Sequence, residues 1–224
     1  ALVAGAYPPV AAALAFFFLY LFFAANYPRQ FALIGAAVAS FVPILVLKLS
    51  SGEMEVQPYA FFALGFFLSA YAWGAKEKKF ENSLPFALVA ALGYIALALG
   101  SSSAVVGVSD MAIFIGIQSI LMFLKSPETR ENLLDFAKFN IVIIGIALFL
   151  VATIIHPIYR NGVFTFEYLY TGPAVYMIMA LAPTLLALAL YYLRNMIKDI
   201  ETMFYTLGGI ILFGMLVFFF TPLK

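Results

Sequence analysis

The chain has 224 residues, 65% of them hydrophobic and 10% charged, with a formal net charge of +1 and a mean hydropathy of +1.06. Soluble domains are about 45–50% apolar, so this composition excludes an ordinary water-soluble fold, and the near-neutral charge offers nothing to a nucleic-acid partner. Cysteine is absent and His156 is the single histidine, which excludes disulfides, thiol catalysis, Cys-ligated clusters and a bis-histidine haem within the chain.

The charges stand outside eight uncharged stretches, 1–28, 30–47, 56–75, 82–109, 111–124, 139–159, 168–193 and 202–223. About 20 apolar residues carry a helix across the hydrocarbon of a bilayer. The pattern predicts an all-α, polytopic transmembrane bundle of about eight spans in one domain, 1–224, with the lipid bilayer as its solvent.

Span 1 is expected over about 8–25, opening at Pro8-Pro9, which suits a helix start. The segment before it has no basic region, so 1–25 is read as a retained helix rather than a signal peptide. Asn26-Tyr27-Pro28-Arg29 makes a tight turn into span 2, about 31–48, with a kink at Pro43. An acidic loop with Glu53 and Glu55 leads to span 3, Pro58 to Trp73. Lys76-Glu77-Lys78-Lys79 follows as the densest charge cluster. Span 4, about 84–100, ends at the breaker-rich Gly100-Ser101-Ser102-Ser103.

Span 5 is short, 111–124, with Ser109 and Asp110 placed as N-cap residues and Lys125 snorkelling at its far end. Ser126-Pro127-Glu128 starts a new piece, and 127–138 is expected to lie along the interface before span 6, about 139–156. The aromatic loop 157–169 suits the headgroup zone. Span 7, about 171–193, has Pro183 at its centre, and span 8, about 202–220, contains Gly208, Gly209 and Gly214.

With eight spans, one side of the membrane collects 9 of the 12 basic residues, from Arg29, Lys76, Lys78 and Lys79 through Lys125, Arg130 and Lys138 to Arg194 and Lys198. Cytoplasmic loops hold the Lys/Arg excess. Both termini are therefore expected on the outer side of the cell membrane.

Ionisable groups at bilayer depth mark ion and proton paths, and none is securely placed there. Asp110 comes closest. It is either a half-buried carboxylate on a proton path or a cap just inside the headgroups, and we read it as the cap. Gln118, beside Ser119 in span 5, must meet a partner on another helix or water. It is either interhelical glue or the lining of a cavity. Asn140, Thr153 and Thr184 admit the same two readings. His156 reads as an interfacial anchor, because no second histidine or cysteine exists to complete a metal site. No paired carboxylates, Ser/His pair or glycine-rich phosphate loop appears, so no enzyme site, cofactor or metal is expected.

One region resembles a known family. AVVGVSDMAIFIGIQSILMFLK, then SPETRENLLDFAKFNIVIIGIALFLVATI and NGVFTFEYL, resemble the span 4–6 region of the antiporter-like membrane subunits of respiratory complex I, membrane-bound hydrogenases and multi-subunit cation/proton antiporters. LGGIILFGMLVFFFTPLK resembles a later segment of the same subunits. The likeness covers about half of the chain. In that alignment Gln118 stands where the family has a charge-bearing glutamate, and Phe218 or Phe219 where it has a lysine. The resemblance implies a degenerate member that has lost its proton-carrying groups. The resulting expectation is a non-catalytic accessory subunit of a larger, respiratory or energy-converting membrane complex, partnered by other membrane subunits. The alternative is a small-solute transporter for a neutral or hydrophobic substrate. It would use Gln118, Ser119 and Thr184 as cavity groups and the proline-kinked spans 2 and 7.

Overall fold

The structure, a computed structural model, describes residues 2–40, 57–100, 104–124, 127–155, 172–196 and, between 201 and 209, seven residues in helical conformation. Every regular element among the described residues is a helix. In chain order these are α1 (Leu2–Asn26), α2 (Arg29–Ser40), α3 (Gln57–Lys76), α4 (Phe80–Gly100), α5 (Ala104–Leu124), α6 (Pro127–Leu150, continued as a π-helical turn over Val151–Ile155), α7 (Pro173–Met179) and α8 (Leu181–Met196). Among the described residues five spans are long and apolar enough to cross a membrane, namely Tyr7–Asn26, Phe80–Leu99, Ala104–Leu124, Asn132–Ile155 and Pro173–Leu193. They fall on the expected spans 1, 4, 5, 6 and 7. α3 is also 20 residues long, but Tyr59, Ser69, Tyr71 and Trp73 make it more polar. Pro43, His156, the 157–169 loop and the Phe218–Phe220 run lie outside the described residues.

Several helix ends differ from the sequence expectation. α1 begins before Pro8-Pro9, and both prolines sit inside it. The turn after it is as expected: the Tyr27 N–H donates to the Phe23 carbonyl at 2.9 Å, and the Ala32 N–H to the Pro28 carbonyl at 3.0 Å. The separate interfacial piece 127–138 does not exist, because Pro127 opens one helix that runs unbroken into span 6. Span 7 is broken at Ala180 into α7 and α8. Pro183 lies three residues on. It has no N–H to bond the Met179 carbonyl, and its ring crowds that turn, which places the break there.

The helices are ordered by how closely their backbones can approach. In a membrane the hydrophobic effect does not drive helices together, so small residues and close van der Waals contact take over. α3 is the central slat, packed most extensively on α1 at one flank and α4 at the other. Gly65 lets α3 reach α1, where a Cβ would stand 3.3 Å from Phe18 Cβ. Gly93 of α4 lies against the backbone of Phe67, and Gly107 of α5 against Leu97. Ala63, Ala70, Ala87, Ala90, Ala91 and Ala98 supply the rest of the close-packed seam. α4 leans on α6, and α6 and α8 together hold α5. α5 therefore closes the bundle from the α8 side and barely touches α3. That gap leaves a groove beside α5.

Polar groups in this apolar interior are satisfied locally. The hydroxyls of Ser69, Ser83, Ser119 and Thr184 donate to the carbonyls of Phe66, Phe80, Ile115 and Ala180, one turn back on their own helices, at 2.6–3.0 Å. Asp135 of α6 caps a different helix: its Oδ2 accepts the N–H of Phe80, the first residue of α4, at 3.2 Å. Its Oδ1 pairs with Lys138 at 3.1 Å. Free N–H groups at a helix start need such a partner, and here the bond also pins α4 to α6.

Candidate binding groove

The gap beside α5 is a groove of about 540 Å³ between α1 and α3 on one wall and α5 on the other. Ligand pockets are commonly about 300–1,000 Å³, so a small molecule fits. Its walls are apolar, with Phe22 from α1, Leu68 from α3, and Met111, Phe114 and Met122 from α5. Polar groups enter at three levels. Lys76, Glu77, Lys78 and Asn132 stand at one end, Tyr71 and Gln118 lie further in, and Asp110 stands at the other end.

The α5 register explains this face. Asp110, Phe114, Gln118 and Met122 are four residues apart, so they form one stripe. Its neighbouring face, with Val108, Ile115 and Ser119, is buried in the bundle. α5 starts at Ala104, which corrects the expected N-cap at Ser109 and Asp110. Asp110 is inside the helix, about 9 Å along it from the first residue at about 1.5 Å per residue. The cap signal was misread because Ala104 to Val108 is itself apolar and extends the span backwards through the carboxylate. Asp110 sits on the exposed edge of the groove. It makes no ion pair or hydrogen bond with any described residue; the Lys138–Asp135 contact is the one ion pair among them.

Gln118 likewise has no hydrogen-bond partner among the described residues, and it lines the groove. Of its two sequence readings, the geometry matches the cavity lining. Ser119 and Thr184 are fully buried and bonded within their own helices, so neither reaches the groove. Thr153 is exposed and bonded to the Phe149 carbonyl at 2.8 Å.

The interhelical glue comes from another pair. The Tyr71 hydroxyl donates to Asn140 Oδ1 at 2.8 Å, and Asn140 Nδ2 donates to the Phe136 carbonyl at 2.8 Å. Asn140 is fully buried. The Tyr71 ring meets Phe114 edge-on at 5.8 Å and Phe139 at 5.6 Å. Tyr71 is thus fixed as the groove floor by α5 and α6 together. Sequence reasoning flagged Asn140 but missed Tyr71, which lies 69 residues away and carries no local signal. Trp73, the single tryptophan, ties α3 to α1 by donating its indole N–H to the Leu21 carbonyl at 3.0 Å. Lys76 Nζ lies 5.6 Å from the centre of its ring.

Among the described residues no group of three or more His, Cys, Asp or Glu could hold a metal ion. Comparison of the chain with protein-family models, curated proteins and solved structures found no match.

Proposed function

We propose that the chain is a multi-pass protein of the cell membrane, with about eight spans and both termini on the outer side. In this reading it is a carrier that binds a small amphipathic molecule in the α1–α3–α5 groove. The groove carries the proposal. It is solute-sized and apolar along its walls, and it holds an amide and a carboxylate that no described residue satisfies. Polar groups at bilayer depth are costly and mark substrate paths. The supporting-role expectation rested on spans without charge at depth. Asp110 lies six residues into α5, so one candidate span carries a charge, which supports the carrier. On the Lys/Arg bias, the end of the groove at Lys76 and Lys78 faces the cytoplasm.

The test is uptake of labelled amphipathic solutes into proteoliposomes. Ala72 lines the groove, and Ala72→Phe fills it. Uptake above protein-free vesicles, abolished by Ala72→Phe and reduced by Gln118→Leu, is the expected result. Uptake indifferent to both changes overturns the proposal.

The accessory-subunit reading, supported by the resemblance around Gln118, keeps one further observation. Phe31, Leu33, Ile34 and Val38 of α2 are each about 60% exposed or more, a face that a neighbouring subunit would cover. Extraction in mild detergent followed by native sizing separates the two. Stoichiometric companion chains support the subunit, whereas a lone 24.6-kDa species or its homodimer supports the carrier.

A further inference from the structure

We infer that the groove selects an amphipathic cation, a protonated or quaternary amine on an apolar body, with Asp110 as its counter-ion. This rests on the groove being a binding site and adds the charge of the occupant.

The inference starts from an unpaired charge. A carboxylate beside apolar walls is expensive unless something pairs it. Asp110 has no such partner among the described residues. The one described ion pair is on α6, and the Lys76 ammonium is turned over the Trp73 ring. A cationic ligand would supply the partner that no described residue gives Asp110.

The walls agree. Phe114 stands one turn along from Asp110 on the same stripe, and Phe22 and Tyr71 face the same space. Aromatic faces attract cations, the more so as water is excluded. Gln118 lies two turns from Asp110 and offers a carbonyl oxygen to an ammonium N–H. Carboxylate, aromatic rings and amide oxygen all complement a cation.

The lysines do not oppose this assignment. Lys76, Lys78 and Asn132 line the end of the groove near Met122. Met122 is twelve residues from Asp110, or about 18 Å along α5. The Tyr71–Phe114 ring contact places Lys76 five residues beyond that level on α3 and Asp110 four residues before it on α5, about 13–14 Å apart along the bundle. A ligand with its cationic head at Asp110 and its apolar body against Phe114, Leu68 and Met122 uses the groove without approaching the lysines.

The experiment uses the full chain in phosphatidylcholine nanodiscs, with Trp73 fluorescence as readout and empty nanodiscs as the partition control. The probes are dodecyltrimethylammonium and uncharged dodecanol. The expected result is at least tenfold tighter binding of the cation, with the ratio of the two affinities falling to about one in Asp110→Asn and surviving in Asp110→Glu. A preference that persists in Asp110→Asn, or equal binding of both probes to the unmodified chain, overturns the counter-ion assignment and leaves the groove intact. Failure of both probes to bind, or binding of both that Ala72→Phe does not weaken, overturns the groove itself.

Discussion

Gly93→Ala tests how the bundle is held together. A Cβ at Gly93 would stand 2.8 Å from Phe67 Cα and 3.0 Å from Phe67 N. Carbon atoms rest at about 3.5–4.0 Å from one another, so α3 and α4 would have to separate by about 0.7–1.2 Å. The obstacle is backbone and cannot rotate away. Overpacking of this kind costs about 1–3 kcal/mol, and alanine returns up to about 1 kcal/mol of helix propensity. The control is Gly116, where a Cβ meets nothing within 4 Å. Gly116→Ala receives the propensity gain without the clash. The stability difference between the two variants therefore isolates the steric contribution, about 1–3 kcal/mol. Reversible unfolding by sodium dodecyl sulfate in mixed micelles, followed by far-UV circular dichroism, measures it. Two variants of equal stability would mean that α3 and α4 do not meet at Phe67, and the central slat would be misplaced.

Three further outcomes follow from named contacts. A double-mutant cycle on Tyr71→Phe and Asn140→Leu should give a coupling energy of about 0.6–1.7 kcal/mol, the scale of interhelical hydrogen bonds in membranes; coupling near zero would deny the Tyr71–Asn140 bond. Asp135→Ala should cost about 1 kcal/mol by uncapping α4, seen as faster amide hydrogen exchange confined to the first turn after Phe80; uniform exchange changes would speak against a cap. Because the chain has no native cysteine, single Glu53→Cys and Lys78→Cys variants report the topology directly. An impermeant maleimide should label the first in intact cells and the second only after permeabilisation, and the reverse pattern would invert the orientation.

Much of the architecture was legible because hydrophobic length and the placement of breakers are local signals. The described helices run to Gly100 and from Ala104, on either side of the Gly100–Ser103 patch read from the sequence. Pro183 reads as a kink in span 7, and the helix is interrupted at Ala180, three residues before it. Which faces meet was not legible. α3 reads as a run of aromatic and small residues with no polar stripe to orient it, so nothing local says that Tyr71 turns towards Asn140 while Trp73 turns towards Leu21. Those directions are set by where Gly65, Gly74 and Gly93 allow α1, α6 and α4 to approach. A glycine in a sequence does not say which neighbour it admits.

The misreading of Asp110 has a physical cause that bears on function. Charge bookkeeping places a span boundary at each ionisable residue, because a charge is cheapest in water or among headgroups. A functional carboxylate is the exception to that rule, held where the surroundings alone would not keep it. Ser109-Asp110 ahead of an apolar run has the form of a cap, yet Ala104 to Val108 are just as fit for the helix, and the backbone hydrogen bonds lost by starting late would go unsatisfied in hydrocarbon. The helix therefore starts early and draws the carboxylate in with it. Six residues of helix separate a headgroup cap from a groove-lining acid, and they move the reading from a neutral packing subunit to a bundle with a charge to offer a ligand.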